Sequence, residues 1–210
     1  MSVLEQMAEK LMKGRADDVA ALVEQALSDG IAPSEILNNG LLSGMSVIGA
    51  RFKKNEVYVP EVLIAARAMK SGMGVLQPKL AEAGVEPLGT AIVGTVKGDL
   101  HDIGKNLVCM MLEGGGFKVV DIGIDVEPQK FVDEAKANNA DVIGISALLT
   151  TTMVNMKGVV EAVKSSDVSG SAKVIIGGAP VTQAFCDEIG ADGYAADAAS
   201  AADLAKSFLG

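Results

Sequence analysis

Thr90-Ala91-Ile92-Val93-Gly94-Thr95-Val96 runs directly into Lys97-Gly98-Asp99-Leu100-His101-Asp102-Ile103-Gly104, and this junction decides the fold. A Val/Ile run without polar alternation predicts a strand buried on both faces, as parallel sheets require. A helical pattern follows it to about residue 115. The same unit recurs downstream: strands are expected over 118–122, 141–147 and 173–176. Helices are expected over 128–137, 153–164 and 182–189, then a short strand near Tyr194 and a last helix from about Ser200. Apolar strands that alternate with helices and cross over right-handedly give a doubly wound (flavodoxin/Rossmann-like) α/β domain. Such sheets bind ligands beyond the carboxyl ends of their strands. The candidate loops are therefore 97–102, 123–125, 146–152 and 177–180.

Upstream the period changes to that of helices. Val3/Leu4, Met7 and Leu11 share a face, as do Val19, Leu22/Val23 and Ala26/Leu27. Leu37, Leu41, Met45, Ile48 and Phe52 form a third stripe, which Asn39-Gly40 and Gly44 interrupt. Val59, Leu63, Ala66, Met69, Met73, Leu76 and Leu80 form a fourth. Four amphipathic helices with short connections predict an N-terminal four-helix bundle. Glu82-Ala83-Gly84-Val85-Glu86-Pro87-Leu88, after Pro78, reads as a linker, which gives domains 1–86 and 87–210.

Composition narrows the function. The 210 residues are 49% hydrophobic and 21% charged but only 3% aromatic, with ten Met and no Trp, so the core must be aliphatic. The net charge is −9, and neither half offers a basic stripe. That argues against nucleic acid and anionic membranes as partners. Cys109 and Cys186 lie far apart without a CxxC, as expected of free thiols in a reducing compartment. The first residues show no basic segment leading into an apolar run, so the expected location is the cytoplasm.

His101 is the one histidine. Two residues from it on a non-helical stretch, Asp99 can accept its Nδ1–H and leave Nε2 as a lone pair for a metal. A surface or capping histidine and a general base are the other readings, although no partnered nucleophile is evident. No further His and no Cys spacing completes a protein metal site, so a metal on His101 would need its remaining ligands from a cofactor. Gly177-Gly178 permits close backbone approach to a ligand, or makes an ordinary βα turn. Ser146 and Thr150-Thr151-Thr152 can hydrogen-bond a cofactor or cap a helix. Neither GxGxxG nor GxxxxGK[ST] is present, so phosphate cradles of those kinds are excluded.

Asp99-x-His101-x-x-Gly104, then 41 residues, Ser146-x-Leu148, 28 residues and Gly177-Gly178 resembles the cobalamin-binding signature of corrinoid-dependent methyltransferases and mutases. Residues 93–106 are similar to cobalamin-dependent methionine synthase. Tyr58-Val59-Pro60-Glu61-Val62 with Ala65-Ala66-Arg67-Ala68-Met69-Lys70 resembles the cap module that precedes its cobalamin domain. Without catalytic domains, the chain resembles the free-standing corrinoid proteins of methyl transfer from methylamines, methanol or methoxylated aromatics.

The resemblance implies a base-off, His-on corrinoid with His101 as the lower axial ligand of cobalt. Asp99 would be its partner and Thr152 the hydroxyl completing a relay. Asp102, Ile103 and Gly104 would also contact the cofactor, while Ser146, Leu148, Thr150, Gly177 and Gly178 would line a slot for its nucleotide tail. Tyr58 would cover the methyl-bearing face. The implied role is a methyl-carrying corrinoid subunit of a methyltransferase system, not catalytic alone, cycling between Co(I) and methyl-Co(III). Its implied partners are a substrate:corrinoid methyltransferase, a methylcorrinoid:acceptor methyltransferase that methylates tetrahydrofolate or a thiol coenzyme, and a reductive activator of Co(II). Other implied readings are the cobalamin subunit of a mutase and a cobalamin-sensing regulator.

Overall fold

A computed structural model describes residues 1–210. The chain divides into two compact units, 1–87 with 114–116 and 88–113 with 117–210.

The first unit is all helical. α1 (Val3–Met12) starts at a capping box: Ser2 Oγ accepts the Glu5 N–H at 3.2 Å, and Glu5 Oε2 accepts the Ser2 N–H at 2.7 Å. It buries Leu4, Met7 and Leu11, while α2 (Ala16–Ser28) buries Val19, Val23 and Ala26. The third helical run is continuous from 33 to 53: α3 (Pro33–Glu35), a π-helical stretch (Ile36–Leu42) and α4 (Ser43–Lys53). The π geometry adds residues to the turn, so Ile36 takes the buried place expected for Leu37, five residues before buried Leu41. Gly40 and Gly44 do not break this run. They let it approach α1, since a Cβ on Gly40 would lie 2.5 Å from Met7 Sδ and one on Gly44 3.2 Å from the Ala8 carbonyl oxygen.

α5 (Val59–Glu82) continues through Pro78, and Leu80 is buried beyond it as its stripe predicts. Its buried face matches the expected one in part: Ala66, Met69, Leu76 and Leu80 are buried. Val62, Ala65, Ala68 and Gly72 also face inward, whereas Leu63 is exposed. Small residues bring helix backbones close, so the bulkiest side chains do not mark the packed stripe.

The second unit is a five-stranded parallel sheet in the order β2-β1-β3-β4-β5. The strands are β1 (Thr90–Val96), β2 (Lys118–Val126), β3 (Val142–Ser146), β4 (Lys173–Gly177) and β5 (Gly193–Ala195). The helices are α6 (Ile103–Glu113), α7 (Pro128–Asn138), the short α8 (Thr150–Met153), α9 (Met156–Lys164), α10 (Gln183–Ile189) and α11 (Ala198–Ser207). On one face Phe131, Val132, Met156, Val160 and Ile189 pack on Ile92, Ile143, Val174 and Ile176. α6 and α11 pack together on the sheet and bury Leu107, Met111 and the small face Ala198, Ala201, Ala202 and Ala205. Each fully buried Leu, Ile, Val or Phe contributes about 1.5–3 kcal/mol, so a nearly non-aromatic core suffices.

β2 is longer than the expected 118–122, and residues 123–125 lie within it rather than in a loop. Between Val93 and Val96 of β1 the partner strand runs from Asp121 to Val126, so β2 bulges. Gly123 (φ 91°) and Asp125 (φ 53°) carry the left-handed conformations that absorb the extra residues.

Candidate functional site

The sheet reverses its winding between β1 and β3, and the crevice at such a switch point is where this topology binds ligands. β1, β3 and β4 end in register there, with Thr95 paired to Ser146 and Ser146 to Gly177. The loops after these strands carry Asp99 and His101, Leu148 with α8, and Gly178.

Asp99 is fully buried, and each carboxylate oxygen takes two hydrogen bonds. Oδ1 accepts the His101 backbone N–H at 3.0 Å and meets His101 Nδ1 at 2.7 Å. Oδ2 accepts the Leu148 N–H at 2.8 Å and the Thr152 hydroxyl at 2.6 Å. Burial alone would raise the carboxyl pKa. The bonds from Thr152, the Leu148 and His101 amides and the His101 ring outweigh burial and hold it well below the usual carboxylate range. An ionised carboxylate only accepts, so Nδ1 carries the proton that faces it. In the neutral ring, Nε2 then bears the lone pair. The imidazole is half exposed.

Thr152 is therefore not a helix cap. Although assigned to α8, its hydroxyl reaches Asp99 across the strand ends. The Gly177-Gly178 pair makes its close approach to protein: at Gly178 (φ 129°) a Cβ would lie 1.8 Å from the Ala147 carbonyl oxygen. This glycine welds the loop after β4 to the loop after β3. Gly104, by contrast, faces open space, with no atom within 4 Å of where a Cβ would stand. Asp102 is exposed, its Oδ2 accepts from Asn106 Nδ2 at 3.2 Å, and its carbonyl receives the Asn106 N–H at 2.7 Å. Ser146 is half-buried at the strand end, and Thr150 is exposed at the start of α8. Tyr58 belongs to the helical unit. It is exposed at the start of α5, and its backbone N–H donates to Glu61 Oε2 at 3.0 Å.

Two residues have no role of their own in the sequence reading, although Asp125 falls in a candidate loop. Thr95, a buried hydroxyl in β1, donates to the His101 carbonyl at 2.9 Å. Asp125 accepts the Gly98 N–H at 2.7 Å. A polar residue inside an otherwise apolar strand was the available signal for Thr95.

Leu100 and Ile103 flank His101 and are the most exposed large apolar residues of this unit, joined by Ile124, Leu148, Leu149 and Val154 at the carboxyl ends of β2 and β3. Exposed apolar side chains concentrated on one edge mark a binding surface. No group of three or more His, Cys, Asp and Glu is placed to hold a metal ion. The site thus offers one nitrogen donor braced by a carboxylate within an apolar surround, which suits a flat, largely apolar complex that brings its own metal ligands. No helix of the chain is long and apolar enough to cross a membrane.

Two family models, each described as a B12 binding domain, match residues 89–203 and residues 3–77. The chain is 40% identical to a corrinoid protein of Desulfitobacterium hafniense, covering 100% of this chain and 99% of the relative. It is 44% identical to a dimethylamine corrinoid protein of Methanosarcina barkeri, covering 99% and 97%. Among solved structures it resembles the methanol:cobalamin methyltransferase complex MtaBC of Methanosarcina barkeri, with a TM-score of 0.88 at 27% identity, covering 99% of this chain and 79% of that one. A cobalamin-binding protein of Desulfitobacterium hafniense gives 0.81 at 31% identity, covering 99% and 98%.

Proposed function

The chain belongs to the corrinoid proteins built on B12-binding domains, and from that premise we propose that it carries methyl groups between two methyltransferases on a corrinoid ligated by His101. The observation that carries this reading is the buried Asp99 carboxylate 2.7 Å from His101 Nδ1, at the switch point of the sheet and within an exposed apolar rim. When bound, the corrinoid supplies a cobalt that alternates between Co(I) and methyl-Co(III).

The residues supply the rest. Asp99 fixes the tautomer and the ring plane, so Nε2 is presented as a neutral donor. Thr152 and the Leu148 amide hold Asp99 ionised. When Nε2 is disengaged it is the atom that takes up a proton, and the adjacent carboxylate offsets the imidazolium charge. Leu100, Ile103, Gly104 and Asp102 would meet the underside of the macrocycle. Ser146, Leu148, Thr150, Gly177 and Gly178 would border its nucleotide tail, with the Ala147–Gly178 weld fixing the loops in place.

In this reading residues 1–86 are the cap module and 87–210 the cofactor domain. The donor is a methylamine or methanol, in keeping with the dimethylamine corrinoid relatives and the methanol complex. The acceptor is a folate or a thiol coenzyme. A reductive activator and a cytoplasmic location complete the proposal.

The test is anaerobic reconstitution with a corrinoid, then single-turnover methylation by dimethylamine- and methanol-specific methyltransferases. The absorption change of cobalt methylation, followed by its reversal with an acceptor methyltransferase, is the expected result. A protein that binds corrinoid but is methylated by none of these partners contradicts the carrier role.

A further inference from the structure

The bulge of β2 holds both ends of the segment that carries His101. At its start, Asp121 Oδ1 accepts the Gly123 N–H at 2.9 Å while Oδ2 pairs with Lys105 Nζ. Lys105 is a buried lysine in the first turn of α6, only 2% exposed, and its ammonium also donates to Asn106 Oδ1 at 2.7 Å. A buried ammonium needs such partners, so Asp121 ties the bulge to α6. At the other end Asp125 does the same for the loop after β1. Its side chain takes the Gly98 N–H at 2.7 Å, and its own N–H donates to the Asp99 carbonyl at 3.0 Å. These two bonds bracket the peptide that leads into Asp99.

Asp125 makes them from φ 53°, one of three positive-φ residues in the chain that are not glycine. Strain of this kind persists where the surroundings over-determine it and concentrates at functional sites. Asp and Asn are the side chains that join tolerance of this conformation to an acceptor short enough to reach a neighbouring amide. From the β3 side, Leu148 and Thr152 hold the Asp99 carboxylate, and Asn155 Nδ2 holds the Lys97 carbonyl at 2.8 Å. Asp125 supplies the opposing restraint, on the backbone.

We propose that Asp125 is a positioning residue: clamping Gly98 and Asp99 from the β2 bulge, it sets the Asp99–His101 pair in the orientation that presents Nε2. Asp125 lies outside the Asp99-x-His101-x-x-Gly104 motif, and its hydrogen bonds go to the Gly98 and Asp99 backbone rather than to the His101 ring. The part of the inference that concerns cobalt rests on the carrier reading; the part that concerns the histidine tautomer does not.

The test uses two variants of the full chain. Asp125→Gly keeps the backbone conformation without strain and removes the acceptor. Asp125→Asn keeps both. His101 is the sole histidine, so the ring-nitrogen chemical shifts of the corrinoid-free protein report its tautomer without ambiguity. Wild type and Asp125→Asn are expected to hold the Nδ1–H form. In Asp125→Gly the ratio should shift toward Nε2–H by about three- to tenfold, the scale of one hydrogen bond. Reconstituted with Co(II) corrinoid, Asp125→Gly should also lose part of the axial-nitrogen splitting in its electron paramagnetic resonance spectrum. A tautomer ratio in Asp125→Gly equal to wild type overturns the proposal, as does an Asn variant as disturbed as the Gly variant. Absence of nitrogen splitting in wild type contradicts the carrier reading instead, while the tautomer ratio still decides the role of Asp125.

Discussion

Thr152→Val isolates the bond that braces the buried carboxylate. Valine keeps the shape of threonine and removes one hydroxyl. That hydroxyl has a single proton and two acceptors, Asp99 Oδ2 at 2.6 Å and the Leu149 carbonyl at 3.1 Å. The shorter contact to the ionised group takes the proton, and its length is that of a charge-assisted O–H···O⁻ bond. Thr152 is 6% exposed and Asp99 fully buried, so water cannot replace the lost donor. Bonds to charged groups contribute about 1.5–3 kcal/mol, and the Leu148 amide remains on the same oxygen. A loss of about 2 kcal/mol is therefore expected in the α/β unit. Because the chain has two units, global denaturation would mix their transitions. Native-state hydrogen exchange of the β1 amides reads the affected unit alone.

The pH dependence gives a second handle on the same bond. The Asp99 pKa is depressed in the folded chain from its ordinary value of 3.8, so below that value the unfolded chain binds more protons than the folded one. Its contribution is complete above about pH 4 and falls as pH drops toward the folded pKa. The Thr152→Val deficit should thus be constant at neutral pH and narrow on strong acidification. Thr152→Ser, which keeps the hydroxyl, should stay within about 1 kcal/mol of wild type. A valine variant as stable as wild type, or a serine variant as damaged as valine, refutes the reasoning.

Three further substitutions probe other parts of the account. Gly178→Ala places a methyl 1.8 Å from the Ala147 carbonyl oxygen at φ 129° and should cost about 3 kcal/mol or more, read by native-state hydrogen exchange of the β3 and β4 amides; a neutral result would disprove the weld between the two loops. Gly104→Ala meets no atom within 4 Å and should leave stability equal or raise it by up to about 1 kcal/mol, while lowering corrinoid retention on gel filtration. Retention unchanged would remove Gly104 from the cofactor surface. Gly72→Ala in the bundle brings a Cβ to 2.9 Å from both Leu41 and Val19, and overpacking of this kind costs about 1–3 kcal/mol; a helical melting transition identical to wild type counts against the close packing of α5.

The parts of this molecule governed by local chemistry were legible in the sequence. Runs such as Ile143–Ile145 and Val174–Ile176 announce strands buried on both sides, and their alternation with helices gives a parallel sheet. The Asp99–His101 pairing follows from a spacing of two on an extended stretch. What escaped depends on contacts between segments distant in the chain. Gly123 and Asp125 read as loop residues because a bulge is defined by its partner strand, and no residue pattern in β2 states how many residues β1 contributes opposite. Leu63 read as core because hydrophobic periodicity weighs size, whereas α5 also packs through the small residues Ala65, Ala68 and Gly72. In the sequence, Thr152 is tied to Asp99 only by the family resemblance, since the residue alone allows a cap or a cofactor contact and its partner lies 53 residues away.

The central claim is that His101 ligates the cobalt of a bound corrinoid through Nε2. In Co(II) the unpaired electron lies along the axial direction, so the nuclear spin of an axial nitrogen splits each line of the electron paramagnetic resonance spectrum. Because the chain has a single histidine, protein grown on histidine labelled with the heavy nitrogen isotope marks one residue. Reconstituted anaerobically with Co(II) cobalamin, unlabelled protein should give triplet splitting and labelled protein doublet splitting. A triplet that survives labelling would assign the axial nitrogen to the corrinoid's own base, and that result, like the absence of any nitrogen splitting, would contradict His101 as the ligand.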